Sequence, residues 1–212
     1  MSWEKGKPMF DEVRNHWVWR PGWRPGRSFY TWHITFADQP AAVALAAEYQ
    51  ATIDALPGIT PVPPRWLHLT MQGVGFADRV QIFDLDGIAE ATRARLREVQ
   101  AFAVDLGPAV IDAESIQLPA TPAEPLQRLR DVLRLSISDV WGPSSVPELP
   151  ELRPHISLGY WNTPAPAAPL RDHLTQAPAP TTTVHITAID LINLHRDHEL
   201  YEWTTVTRCP LA

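Results

Sequence analysis

Trp66-Leu-His-Leu-Thr-Met71 alternates residue by residue, and Arg153-Pro-His-Ile-Ser-Leu-Gly-Tyr160 repeats its pattern 87 positions later, counted from His68 to His155. On a β-strand successive side chains point to opposite faces. His68 and Thr70 therefore share one face, and Leu67, Leu69 and Met71 the other. In the second stretch His155 and Ser157 share a face opposed by Ile156 and Leu158. Each strand offers an apolar side for a core and an imidazole–hydroxyl pair for a ligand. Two such strands brought together make a four-point clamp, in which one histidine takes a proton from water and the other gives one to a leaving oxygen. Imidazole suits both roles because its ordinary pKa of about 6.5 lies near working pH.

Working outward, residues 29–36 are β-branched and aromatic and read as a strand, stopped at Gln39-Pro40. Residues 41–56 read as a helix closed by Pro57-Gly58. A second helix is expected over 86–100, short strands over 102–106, 109–111 and 115–118, and a third helix over 125–140. In that helix Leu126, Leu129, Val132, Leu133 and Ile137 recur at helical spacing. Leu170-Arg-Asp-His-Leu-Thr-Gln176 reads as a short helix between proline-rich connectors at 164–169 and 178–180. One long strand is expected over 182–194, then a turn at 196–199 and a returning hairpin strand over 200–207. The order of elements falls into two similar halves.

The triplet His-x-Ser/Thr is not selective by itself. Eight histidines and 24 serines and threonines in 212 residues give about 0.9 such triplets by chance. Five are present, at His33, His68, His155, His173 and His185. Strand context and matched position in the two halves single out the pair at 68 and 155.

Composition narrows the classes. A chain of 212 residues, 45% hydrophobic, can bury a substantial core in one domain. The domain is expected over 28–212, with 1–27 a Trp/Arg-rich arm. A net charge of −6 argues against a broad cationic face for long nucleic acid, while a small anionic ligand needs only local donors. Cys209 is the single cysteine, so no disulfide framework or Cys-rich zinc site forms within one chain. A reducing cytoplasm, no membrane span and a monomer are expected.

Leu67-His-Leu-Thr-Met71 and Pro154-His-Ile-Ser-Leu158, with the order of elements from about Ser28 to Thr207, resemble the two-histidine phosphoesterase superfamily. Within it the chain looks most like the bacterial 2′-5′ RNA ligase, or RNA 2′,3′-cyclic phosphodiesterase, family. The resemblance implies an α+β, bilobal fold of two pseudo-symmetric lobes, with antiparallel sheets around a central groove and helices outside. It also implies hydrolysis of a 2′,3′-cyclic phosphate on RNA or a nucleotide to a 2′-phosphate, with reversible 2′-5′ joining as a related activity and no cofactor or metal. Carried onto this chain, His68 and His155 are the acid–base pair, and Thr70 and Ser157 bind the phosphate. Ser157 stands where the family's motif usually has threonine, and the arm lies outside the family's usual start.

Around these four, Arg153 either aims its guanidinium at a phosphate or joins a surface salt bridge, Tyr160 and Trp32 either stack on a base or belong to the core, and His33, with Thr35, either lines the groove or is a core or surface histidine. Arg20, Arg24 and Arg27 of the arm either contact phosphates or belong to a wrap held by Trp17, Trp19 and Trp23. His173 is a chance match on a helix, and His185 lies on a sheet surface. His195 and His198, with Asp197 and Glu199, match no established metal-ligand spacing and read as a solvated turn. Three alternatives to the cyclic phosphodiesterase stay open at this point: a hydrolase of another phosphodiester, a non-catalytic RNA- or nucleotide-binding module, and a metallohydrolase.

Overall fold

The computed structural model describes residues 10–148 and 151–212. The chain runs β1 (Glu12–Val13), β2 (Phe29–Thr35), α1 (Pro40–Asp54), β3 (Ile59–Pro61), β4 (His68–Phe76), α2 (Ile82–Leu96), β5 (Phe102–Leu106) and β6 (Val110–Ile111). It continues with β7 (Ser115–Thr121), α3 (Ala123–Trp141), β8 (His155–Trp161), β9 (Ala165–Pro166), α4 (Ala167–Gln176), β10 (Thr182–Ile186), β11 (Ala188–His195) and β12 (Glu202–Pro210). The fold is α+β and bilobal. One sheet has the order β12-β11-β2-β4, and the other β10-β5-β7-β8-β3 with β6 also against β7. Neighbours in both are antiparallel.

The two halves of the sequence are exchanged between these sheets. β3, from the first half, edges the second sheet beside β8, while the C-terminal hairpin β11–β12 completes the first. The helices follow suit: α1 covers β3, β8 and β10, and α3 packs on β4 and against α2. Four residues of α3, Leu126, Leu129, Leu133 and Ile137, are fully buried. Their spacing of three and four places them on one face, so the helix is fixed by the core it covers.

Two expectations are corrected. The second helix begins at Ile82, four residues early. Ile82 and Phe83 are exposed apolar residues, so the apolar periodicity that marks the buried face does not announce the first turn. The long strand over 182–194 is two strands: β10 pairs with β5 in the second sheet, and β11 lies between β2 and β12 in the first. The chain changes sheets at Thr187, whose carbonyl accepts the Leu211 N–H.

The described part of the arm is laid down on the domain. β1 pairs with β9, and the amides of Arg14 and His16 donate to the carbonyls of Ala113 and Trp161. Trp17 is buried, Trp19 is half exposed, and Trp23 packs edge-on against Phe76. Residues 1–9 of the arm lie outside the described residues. No described helix is long and apolar enough to cross a membrane.

Candidate active site

β4 and β8 lie against each other, and a cavity of about 550 Å³ opens over the faces that carry their histidines. His33, His68, Thr70, His155, Ser157 and Tyr160 all line it. Leu67, Leu69, Met71, Ile156 and Leu158 are turned away into the core, as the alternation requires. The same alternation on β2 sends Phe29, Thr31 and His33 to the cavity, while Trp32 and Ile34 are buried on the opposite face.

The two motif histidines are held in the same way. Nδ1 of His68 is 2.7 Å from the carbonyl oxygen of Trp66, and Nδ1 of His155 is 2.7 Å from that of Arg153. A carbonyl only accepts, so each Nδ1 carries the hydrogen, and the lone pair of the neutral ring sits at Nε2. Because the partner is in both cases the residue two positions upstream, each motif fixes its own tautomer.

Burial sets the protonation state of His68. Desolvation pulls its pKa down to about 4, against the Trp66 carbonyl, which raises it; the charges of His155 and His16 lower it further. His68 is therefore neutral across the physiological range. Its ring stacks on that of His33, with centroids 4.5 Å apart and planes 2° from parallel. His33 is held well below the ordinary value by burial and then by the charge of His68. Across the β2–β4 register His33 stands opposite Thr70, and its Nε2 lies 3.2 Å from the Thr70 hydroxyl. Nδ1 of His33 is buried without a hydrogen bond. A proton there would be an unsatisfied donor, which is costly, so the proton belongs on Nε2 and is donated to Oγ1. That leaves the Thr70 hydroxyl hydrogen to point into the cavity.

The far wall is built by residues that the motif reading missed. His16 of the arm is buried, with Nδ1 3.0 Å from Glu114 and Nε2 2.8 Å from the Tyr201 hydroxyl. Arg14 and Arg20 also pair with Glu114. The hydrogen bond from His16 leads the causes that hold the Glu114 carboxyl down at about 2. Tyr201, just before β12, and Trp203, on it, meet His68 edge-on at 5.9 and 5.3 Å. His16 has no hydroxyl two residues on and no strand pattern around it, so only the tertiary pairing of the arm reveals it.

Three further expectations need correction. Trp32 does not stack on a base, because it is fully buried on the core face of β2. Tyr160 does line the cavity, but His16 covers its ring at 4.3 Å and 25°, so that face is already taken; burial pushes its phenol up. Arg153 is exposed and lies outside the cavity lining; what it gives the site is its backbone carbonyl. Of the arm arginines Arg20 reaches the cavity, whereas Arg24 and Arg27 pair with Asp78. His173, on α4, and the exposed His185, on β10, lie outside the cavity. Among the described residues the one group placed to ligate a metal, His195, His198 and Glu202, also lies outside it.

The family model of the 2′-5′ RNA ligase superfamily matches residues 38–198. Among solved structures, TT0787 of Thermus thermophilus is similar with a TM-score of 0.65 at 20% identity, over 87% of this chain and 97% of that one. LigT of E. coli, crystallised with 3′-AMP, gives 0.61 at 16% identity, over 88% and 98%. ATU0111 of Agrobacterium tumefaciens gives 0.51 at 15% identity, over 85% of each chain. No curated protein matches. At these identities the structural likeness speaks for the fold, and residues 10–27 precede the segment matched by the family model.

Proposed function

The chain belongs to the 2′-5′ RNA ligase superfamily, and from that premise we propose that it opens a 2′,3′-cyclic phosphate on an RNA end or nucleotide, leaving a 2′-phosphate and a 3′-hydroxyl. The observation that carries this reading is the matched pair of histidines, each with Nδ1 tied to a carbonyl at 2.7 Å and both lining one cavity. Binding alone needs hydroxyls and cations; two proton-carrying rings presented alike suit acid–base chemistry.

In this mechanism His68, neutral because it is buried, accepts a proton from water at Nε2 as the water attacks phosphorus. The bond from phosphorus to O3′ breaks, and His155, which enters the step as the imidazolium with a proton on each nitrogen, gives its Nε2 proton to the departing oxygen. Thr70 and Ser157 donate hydrogen bonds to the non-bridging oxygens, where charge grows. Each residue thus bears on an atom whose charge changes, and the chemistry asks for no cofactor. With an RNA 5′-hydroxyl in the place of water, the same steps in the same direction join ends through a 2′-5′ linkage; run backwards, they open that linkage and restore the cyclic phosphate. LigT of E. coli, crystallised with 3′-AMP and with phosphate, supports a ligand of nucleotide size.

The test is incubation of the full chain with an RNA ending in a 2′,3′-cyclic phosphate, in the presence of EDTA, with the product end identified. A 2′-phosphate product is expected. Binding without turnover would overturn the reading in favour of a non-catalytic module, and turnover only without chelator would favour a metallohydrolase.

A further inference from the structure

We propose that the tip of the β11–β12 hairpin is a divalent-metal site, with zinc its best-suited ion, formed by His195, His198 and Glu202 and separate from the catalytic cavity. In sequence these residues show no familiar ligand spacing. The hairpin supplies what the spacing lacks: His195 and Glu202 are cross-strand partners, so their side chains leave the same face of the ladder a few ångströms apart. Between them Glu199 takes a left-handed backbone conformation, φ +52°, rare for a residue with a side chain. It turns the chain sharply enough to bring His198 back over the pair.

The result is one ligand atom from each of the three residues, all within 4.8 Å of one another. Nδ1 of His198 is 2.6 Å from the Glu202 carboxylate, and the two imidazoles meet edge-on at 5.8 Å. Ligands about 2.0–2.1 Å from a tetrahedral ion stand roughly 3.4 Å apart, so closure asks for little more than rotation of His198, whose side chain is 72% exposed.

The second observation is independent of the spacing. Nδ1 of His195 is buried and makes no hydrogen bond, although a carboxylate oxygen of Asp197 lies 3.8 Å away. Oδ1 of Asn193, buried without a partner as well, lines the same cavity of about 380 Å³ as His195, Asp197 and Glu202. Asp197, held by the Gly26 amide, stands beside the three ligands as a neighbouring carboxylate rather than among them. Two imidazoles and a carboxylate are a zinc donor set; magnesium and calcium prefer all-oxygen ligands. Together the carboxylates of Asp197 and Glu202 balance a doubly charged ion. Tyr201 and Trp203 flank Glu202 and both pack on His68, so a metal here would brace the cavity wall without touching substrate.

The experiment is calorimetric titration of the full chain with zinc chloride, comparing wild type with His198→Ala, Glu202→Gln and His68→Gln. One equivalent is expected to bind with a Kd of about 10 µM or tighter. His198→Ala and Glu202→Gln should each weaken it at least about tenfold, while His68→Gln leaves it unchanged. Zinc should also raise the melting temperature of wild type but not of His198→Ala. Absence of binding at about 100 µM zinc, or binding undiminished in both hairpin variants, would overturn the proposal. His198 is exposed, so its replacement leaves no core defect to confuse the result.

Discussion

Acidification is expected to destabilise this protein through His68, and replacing His68 with Gln is expected to remove that share of the loss. In the folded chain burial holds the His68 pKa at about 4; in the unfolded chain it returns to about 6.5. Between these values the unfolded state binds the extra proton, so stability rises with pH across the window and falls as pH is lowered through it. The penalty begins below about pH 6.5 and is complete below about pH 4. Moving from about pH 7 to about pH 4.5 therefore costs roughly 2.5 kcal/mol at this one group. His16 and His33 are also lowered by burial and add losses of the same sign, but these remain in the variant. Urea unfolding followed by tryptophan fluorescence, at both pH values, gives the double difference: wild type should lose roughly 2.5 kcal/mol more than His68→Gln. Equal losses would mean that His68 titrates in the native state as it does in water. Burial would then not be what keeps it neutral.

Other outcomes follow from the same geometry. Trp32→Ala should cost about 3–5 kcal/mol of stability by urea unfolding, while KM for the cyclic substrate stays unchanged in whatever protein remains folded; a raised KM would restore Trp32 to the site. Thr70→Val should lower kcat/KM by about 10- to 100-fold through loss of a hydrogen bond to a charged phosphate, and it should cost about 1–3 kcal/mol of stability by urea unfolding, because the buried His33 N–H loses its acceptor. Glu114→Ala removes the shared partner of Arg14, Arg20 and buried His16. It should cost about 1–3 kcal/mol and speed chymotrypsin cleavage within the arm, and an unchanged cleavage rate would show that the carboxylate does not hold it.

The facing of the two motif strands was legible in the sequence because a period of two admits one arrangement once the apolar side is buried: Leu67, Leu69, Ile156 and Leu158 go inward, and the histidines follow to the other side. The α3 face was legible for the same reason at a period near 3.6. Periodicity does not say which sheet a strand joins, and β10 and β11 read as one strand until their partners are known. Trp32 shows the limit from another side. Its own alternation with His33 already assigned it to the opposite face, and an aromatic residue there belongs to the core. The wall made by His16, Glu114 and Tyr201 could not be read, since it joins residues 98 and 185 positions apart with no motif around any of them. The hairpin ligands were hidden likewise, because cross-strand register, rather than sequence interval, brings His195 to Glu202.

The paired-histidine chemistry is tested most directly by the kcat/KM of His68→Gln and His155→Gln on an RNA with a 2′,3′-cyclic phosphate end, measured in EDTA with folding verified by circular dichroism. Each substitution is expected to lower kcat/KM by about 100-fold or more, and the double variant to be little worse than either single one, because the two histidines act as a unit. Near-wild-type turnover by either single variant would contradict it.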